Sequence, residues 1–428
     1  MTNRAASIPG PESIIRQEFP NGMTVLVYEN FSSSSVSVFG QLRVGAIEDP
    51  PDKAGLSSFV AGCLMRGTSR RTFQQIYEEL ESIGASVNVG SGRNTTGFGA
   101  KLLAEDWGYV LDILADVLQT PTFPVNEVEK VRGEILTSLQ ERSHDTERMA
   151  ALTFQELLYG FDHPYGRSTV GYPETLKAIT RDELESFYRT RFGPQGMIAA
   201  IAGAVKAEDA FQVWEDAFGK WTGATKDDHA PLVLSPQLAE TREAHVDIPD
   251  KTQADLILGF VGPSRQEPEY LDAVLCNSIL GMFGMMGRLG KVVRDKHGLA
   301  YYCYSHIEGG LGPGPWAVSA GVDPANVEKA IKSIVGEITR ICDKIVPTKE
   351  LTDNKAFITG SLPLQLETNG GIARTLVSME LYDLGLDYLQ RYADLINDIT
   401  SKRIRAVAQK YLDPSAYSLA VAGPAMEQ

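Results

Sequence analysis

A chain of 428 residues, 43 % hydrophobic and 22 % charged, is long enough for two or three cores and too apolar to be disordered. Its 55 acidic side chains against 40 basic ones, a net charge of -15, and the lack of any long Lys/Arg cluster argue against nucleic acid and membrane as partners. Cys63, Cys276, Cys303 and Cys342 show no Cys-x-x-Cys spacing and read as free thiols of a reducing compartment, pointing to a cytoplasmic protein; no secretory signal core and no long apolar run is expected to enter a membrane.

Taken in order, Asn21-Gly22-Met23 is a turn into a strand over Thr24 to Tyr28, and Ser35 to Gly40 alternates as a second strand, so two antiparallel strands are expected to open the chain. Leu56 to Met65 is a helical apolar run. A helix from Phe73 to Ile83 stops at Gly84, strands are expected at Ser86 to Gly90 and Gly97 to Leu103, and a helix runs from Asp106 to Leu118. A charged helix follows from Asn126 to about Glu141, with Val128, Val131, Ile135 and Leu139 as its buried stripe. Thr180 with Glu183 three residues on forms a capping box for the next helix.

The second half repeats this order: a strand at Ala254 to Phe260, a helix at Tyr270 to Leu280, a strand pair at Tyr301 to Glu308 and Trp316 to Val322, and a helix from Asn326 to Ile341. The closing segments match best, Arg181 to Gly203 against Ser401 to Gly423, with the two glycines 220 residues apart. The expected fold is therefore α+β: two homologous domains, each an antiparallel sheet of mixed strand order with helices on one face. Residues 1–221 and 244–428 are the domains and the polar stretch 222–243 the linker.

The segment Gly281 to Tyr301 carries the strongest functional signal. Gly281, Gly284 and Gly287 stand among apolar residues and suit close approach of an extended peptide backbone. Leu289, Val292 and Val293 keep helical spacing, Gly298 is placed as the glycine that ends a helix, and a strand begins at Leu299. Arg294 and Tyr301 thus lie seven residues apart across a helix-to-strand turn. This wording, with Gly298-Leu299-Ala300-Tyr301 as its end, resembles the second half of the pitrilysin and insulinase peptidases, the group that includes the mitochondrial processing peptidase. His163-Pro164-Tyr165-Gly166 and Gly171-Tyr172-Pro173-Glu174-Thr175 are similar to further phrases of that family. The resemblance covers nearly the whole chain. It implies two domains related by a pseudo-twofold axis and forming a half-chamber, and it implies that Arg294 and Tyr301 contact substrate at the catalytic centre.

Zinc-bearing relatives carry His-x-x-Glu-His in a frame that this chain retains as Gly55-Leu56-Ser57-Ser58-Phe59-Val60-Ala61-Gly62-Cys63-Leu64-Met65-Arg66-Gly67-Thr68. Ser58 and Gly62 stand at the histidine positions and Ala61 at the glutamate position, and none of them supplies a zinc donor or a base. Glu134 matches the third ligand by context, with Glu127 on the same helical face, and reads on its own as a solvated helix glutamate. Cys63 is one residue past the second ligand position and is expected to point away. The six histidines include no i, i+4 pair, and no Gly-x-x-x-x-Gly-Lys-Ser/Thr sequence occurs around Ser33-Ser34-Ser35 or the glycine runs.

What the resemblance implies is a zinc-free subunit of a heterodimeric zinc metallopeptidase. It would hold no metal itself, pair with a homologous subunit that carries His-x-x-Glu-His and zinc, and act on a peptide only as the complex. A scaffold or peptide-holding protein of the same fold, and an enzyme with a site not yet recognised, remain as alternatives.

Overall fold

Phe19 to Met23 turns the chain back between β1 (Ile14–Glu18) and β2 (Thr24–Glu29), an antiparallel pair in the computed structural model, which describes residues 8–225, 237–282 and 287–425. The first half continues with β3 (Ser35–Leu42), α1 (Leu56–Leu64), α2 (Phe73–Ser82), β4 (Ser86–Ser91), β5 (Thr96–Leu103), α3 (Trp107–Gln119), α4 (Val125–Ser143), α5 (Thr146–Tyr159), α6 (Pro173–Ala178), α7 (Arg181–Arg191), β6 (Ile198–Gly203) and α8 (Ala207–Phe218). The second half runs β7 (Arg242–Asp247), β8 (Ala254–Val261), α9 (Tyr270–Gly281), a π-helical turn (Gly290–Lys296), β9 (Ala300–Gly309), β10 (Pro313–Val322), α10 (Val327–Asp343), α11 (Thr348–Gln365), α12 (Asn369–Leu381), α13 (Tyr388–Asn397), α14 (Ser401–Tyr411) and β11 (Ser418–Gly423). β7 begins within the stretch expected to be linker, of which residues 226–236 lie outside the described ones. Among the described residues no helix is long and apolar enough to cross a membrane.

Two sheets form, in the orders β1-β2-β6-β3-β5-β4 and β7-β11-β8-β10-β9. Leaving β1 aside, the orders are the same, so the repeat seen in the sequence is a repeat of topology. The expected opening pair is corrected here: β6 lies between β2 and β3, parallel to the first and antiparallel to the second. Its Ala199, Ala200, Ile201 and Ala202 are fully buried, as a strand flanked on both sides and covered on both faces requires. β11 repeats this, parallel to β7 and antiparallel to β8, so each sheet holds one parallel pair in an otherwise antiparallel order. Both closing strands end on glycine because no side chain fits there. A Cβ on Gly203 would stand 2.3 Å from the Ser35 carbonyl oxygen, and one on Gly423 2.7 Å from Ala254 Cβ.

The helices before these strands start alike. Thr180 caps α7 and exchanges hydrogen bonds with Glu183 as the capping box predicts, while Thr400 caps α14 through the Arg403 amide. In the second sheet the expected helical face is present, with Cys276, Ile334, Ile338 and Ile404 of α9, α10 and α14 packed on Leu256, Leu258 and Trp316. One helix must be added on the opposite face. Ala150, Phe154 and Leu158 of α5 pack on Ile257, Val261, Ala317 and Ala420, so β8 is buried along its whole length.

That addition follows from how the chain is shared out. One compact unit comprises Met1–Leu136, Ser168–Pro231 and Leu362–Arg391, the other Thr137–Arg167, Leu232–Ser361 and Tyr392–Gln428. α5, written in the first half, belongs to the second unit, and α12, written in the second half, covers β2, β3 and β6 of the first. A linear division at residues 222–243 does not express this exchange.

Within the first unit, the loop after α1 is held by one buried carboxylate. Asp116 of α3 accepts from Thr68 Oγ1 (2.6 Å), Thr120 Oγ1 (2.6 Å) and Arg71 Nη1 (2.9 Å), and Arg70 Nε is 3.1 Å away. Burial opposes its ionisation, but the bonds from Thr120, Thr68, Arg71 and Arg70 outweigh burial and hold the carboxyl below its usual value. The unfolded chain therefore takes up this proton first as pH falls. The stability Asp116 contributes is complete above about pH 4 and is lost as pH drops through the depressed folded value. Asp116→Asn is expected to cost about 2 to 3 kcal/mol at pH 7 and to flatten the acid limb of a urea-denaturation series. An acid limb unchanged by the substitution would show that Asp116 carries no such linkage.

Candidate functional site

Leu289 and Val293 are fully buried in the core of the second unit, and they anchor the segment that carries Arg294. The expected helix end is a π-helical turn: the His297 amide reaches the Val292 carbonyl five residues back at 3.2 Å, one residue more than an α-turn encloses. Gly298 ends it at φ +62° as expected, and Leu299 N–H bonds the Val293 carbonyl. Arg294 is half-buried on this turn, and its side chain makes no hydrogen bond or ion pair among the described residues.

Tyr301 comes next on β9, the edge strand of its sheet. Val322 pairs with Ala300 and Gly321 with Tyr302, so Tyr301 is the extra residue of a bulge. A bulge turns the side chain out of the regular alternation, and Tyr301 is 79 % exposed with no described hydrogen-bond partner. Its neighbour is the opposite. The Tyr302 hydroxyl donates to buried Asp255 at 2.6 Å, where Thr146 Oγ1 (2.5 Å) and Gln253 Nε2 (2.9 Å) also converge; burial and the carboxylate push the Tyr302 hydroxyl far above the usual tyrosine range.

The glycines expected to face substrate have another use. Gly281 and Gly287 are both buried, and a Cβ on Gly287 would stand 2.1 Å from Gly281 Cα, so the two close the loop backbone against backbone. Gly284 lies outside the described residues. Sequence reasoning missed what holds the loop's far end, a two-pronged ion pair from Arg288 Nε and Nη2 to Glu350 at 2.9 and 2.7 Å, with Arg288 6 % exposed. It also missed Asn277, a polar residue on an apolar helix, which takes the Trp316 indole N–H at 3.0 Å and donates to the Ser305 carbonyl at 3.3 Å, tying α9 to β9 and β10. A lone Asn in the run Val274 to Leu280 was the available signal.

In the first unit, the positions matching the zinc motif lie on α1. The carboxylate of Asp49 caps its start through the amides of Gly55 and Ser57, each at 2.9 Å. Ser58 Oγ is committed to the Thr169 carbonyl at 2.6 Å, Ala61 is buried, and Gly62 is exposed. Cys63 is buried, and burial pushes its thiol up to about 12. Glu134, at the third position, is paired with Arg66 Nη2 at 2.5 Å; Glu127 lies 4.0 Å from Arg66 Nη1 and 2.7 Å from Lys130 Nζ. Arg66 itself lies over the Phe73 ring. A donor set of one hydroxyl already bonded to a carbonyl, a Glu134 carboxylate paired with a guanidinium, and a Glu127 carboxylate that holds Lys130 through one oxygen and leaves the other without a hydrogen bond, with no imidazole or thiolate beside them, does not fit zinc. Among the described residues no group of three His, Cys, Asp or Glu side chains is placed so that it could hold a metal ion.

A family model described as insulinase (peptidase family M16) matches residues 24–163, and one described as peptidase M16 inactive domain matches residues 178–357. A Streptomyces coelicolor protein called an uncharacterized zinc protease is 29 % identical over 424 residues, covering 97 % of this chain and 90 % of the relative. A Bacillus subtilis protein of the same description is 26 % identical over 96 % of this chain and 98 % of the relative. A probable mitochondrial-processing peptidase subunit beta from Arabidopsis thaliana is 24 % identical over 95 % of this chain and 77 % of the relative. Among solved structures, a peptidase M16 inactive domain from Pseudomonas fluorescens superposes with TM-score 0.90 at 23 % identity, covering 97 % of this chain and 99 % of the other. A protease from Helicobacter pylori gives TM-score 0.88 at 17 % identity over 96 % and 99 %, which extends the likeness in fold. Two models of one family in chain order and relatives along nearly the whole length lead to one conclusion: the chain belongs to peptidase family M16, the insulinase family, with the match over residues 178–357 falling to the model of its inactive domain.

Proposed function

We propose that this protein is the zinc-free subunit of a heterodimeric metallopeptidase, lending Arg294 and Tyr301 to a homologous partner that carries His-x-x-Glu-His and zinc, and that the pair acts on peptides. The observation that carries the reading is the contrast between two places in one chain. Ser58 and Glu134 at the metal positions have other partners, while Arg294 and Tyr301 have none among the described residues and are held on a well-anchored turn and bulge. A guanidinium and a phenol are both donors at neutral pH. Placed at a scissile carbonyl they stabilise the negative charge that develops there, a task that needs no base and no metal on this chain. This subunit holds no cofactor in the reading; zinc belongs to the partner. An assembly that must enclose a peptide is expected to bury more than about 2,000 Å² between its subunits.

Elemental analysis of the purified chain after dialysis is expected to find well under one zinc per chain and no peptide hydrolysis, because a single paired carboxylate cannot hold the ion tightly. One tightly bound zinc per chain, lost in Glu134→Gln, would overturn the zinc-free assignment.

In the reconstituted pair, Arg294→Ala and Tyr301→Phe are expected to lower kcat by about 10² to 10³ while KM and subunit association stay nearly unchanged. Tyr301→Phe keeps the ring and removes only the hydroxyl, and the exposure of Tyr301 means that folding does not depend on it. Unchanged turnover in both variants, with assembly intact, would replace this reading by that of a scaffold.

A further inference from the structure

Ser33 and Ser35, part of a serine run that is no nucleotide loop by sequence, border a cavity of about 520 Å³ in the first unit, together with Ser37, Lys101, Arg374 and the start of α12. α12 is thirteen residues long and begins Asn369-Gly370-Gly371. Gly371 N–H is taken by Thr368 Oγ1 at 3.0 Å, whereas the amides of Asn369 and Gly370 stand at the helix start, where no intrahelical acceptor exists and the positive end of the dipole lies. Asn369 locks this start onto β3: its Nδ2 donates to the Ser35 carbonyl at 3.0 Å and to Ser35 Oγ at 3.1 Å, and its Oδ1 accepts from Asn30 at 2.8 Å.

The side chain that points to a ligand is Ser37. It is 8 % exposed, it lines the cavity, and its hydroxyl has no hydrogen-bond partner among the described residues. Its hydroxyl opens on the cavity and is free to donate to, or accept from, a group bound there. Ser37 Oγ lies 3.8 Å from where a Cβ on Gly370 would stand, and Arg374 Nη1 and Nη2 lie 3.8 and 3.9 Å from the same point. Lys101 is directly opposite Ser37 in the β3/β5 register. Neither Arg374 nor Lys101 has a described ion-pair partner, and Glu367, at the exposed rim, is the one carboxylate among the lining residues.

We propose that this cavity is a binding site for a phosphate-class oxyanion. Amides from α12, a hydroxyl from the sheet and two cations approach from different directions, which suits the several oxygens of a tetrahedral anion better than the two of a planar carboxylate. The glycine at Gly370 lets the anion reach the amides, and the volume leaves room for a small substituent on the phosphate. The site is independent of the Arg294 and Tyr301 reading.

Calorimetric titration of the full chain at fixed ionic strength in chloride, with inorganic phosphate, glycerol 3-phosphate and acetate as probes, tests it. Saturable binding at one site is expected for phosphate, with tighter binding of the ester pointing to a phosphorylated small molecule as the source and equal or weaker binding to free phosphate. Arg374→Gln is expected to weaken phosphate binding by about 10-fold or more, and Ser37→Ala by a smaller factor. Gly370→Ala is the informative third variant, because its Cβ meets no atom nearer than 3.8 Å and alanine favours helix, so the unliganded melting temperature should hold or rise while phosphate binding falls. Lys349→Gln, in the other unit, should change nothing. No saturable binding, binding unchanged in Arg374→Gln and Gly370→Ala, or acetate bound as tightly as phosphate would overturn the proposal.

Discussion

The strand laid down last in each repeat goes to the middle of its sheet, and the rest of the structure depends on that insertion. β6 cannot enter between β2 and β3, nor β11 between β7 and β8, until the chain has passed through all the intervening helices. The inserted strands are made almost wholly of Ala, Ile, Val and Leu, and each ends where a glycine must let another strand's backbone or side chain pass within van der Waals distance. Sheet closure is thus a long-range event in both units, with a high entropic cost of loop closure before any ladder hydrogen bond forms. α5 and α12 add to this, since each covers a sheet whose other strands are written elsewhere in the chain. The two units are therefore bound together by connectivity rather than by a single linker.

On this frame the chemistry has been redistributed by very few atoms. α1 keeps its packing, its Asp49 cap and its buried Phe59, Val60 and Leu64, so the helix that carries the motif frame does not depend on the motif. The positive charge that a metal would bring to Glu134 and Glu127 is supplied by Arg66 and Lys130. A guanidinium at 2.5 Å from Glu134 satisfies the carboxylate with a side chain that stays in place whether or not any ion is available. Glu134 is more than half exposed, so the pair adds little to stability and acts mainly to fill the place.

The fold was legible where local signals and tertiary role agree. The 220-residue offset between α7/β6 and α14/β11, the capping box at Thr180 and the stop at Gly298 all rest on short-range patterns, and the structure reproduces them. β7 was not legible, because Arg-Glu-Ala-His-Val-Asp is a charged edge strand with solvent along most of it, the composition that also marks a linker. Nor was the exchange of α5 and α12, since an amphipathic stripe says that a helix must be covered and not by which sheet. At the candidate site, Arg294 and Tyr301 were found by spacing and resemblance, but the bulge that exposes Tyr301 depends on the partner strand β10 and leaves no mark in β9 alone. Nor was the packing of Gly281 on Gly287 legible: the two look accommodating for a visitor and are needed by each other.

The strong interactions around the segment from Gly281 to Tyr302 hold it in the way the proposed role of Arg294 and Tyr301 would require. Its early end is fixed by Arg288 on Glu350 and by Asn277 between Trp316 and Ser305, its later end by Tyr302 on Asp255, and its middle by Leu289 and Val293 in the core. The side chains of Arg294 and Tyr301 take no part in this network among the described residues. Folding could have used them, for an arginine and a tyrosine offer more donors and apolar area than most residues, yet Tyr301 is largely exposed and Arg294 only half-buried. A group that must stabilise developing charge gains from being held by its backbone while its donors stay uncommitted, because donors already bonded would have to be released before they could act. Rigid flanks with free donors between them are the arrangement that this requirement produces.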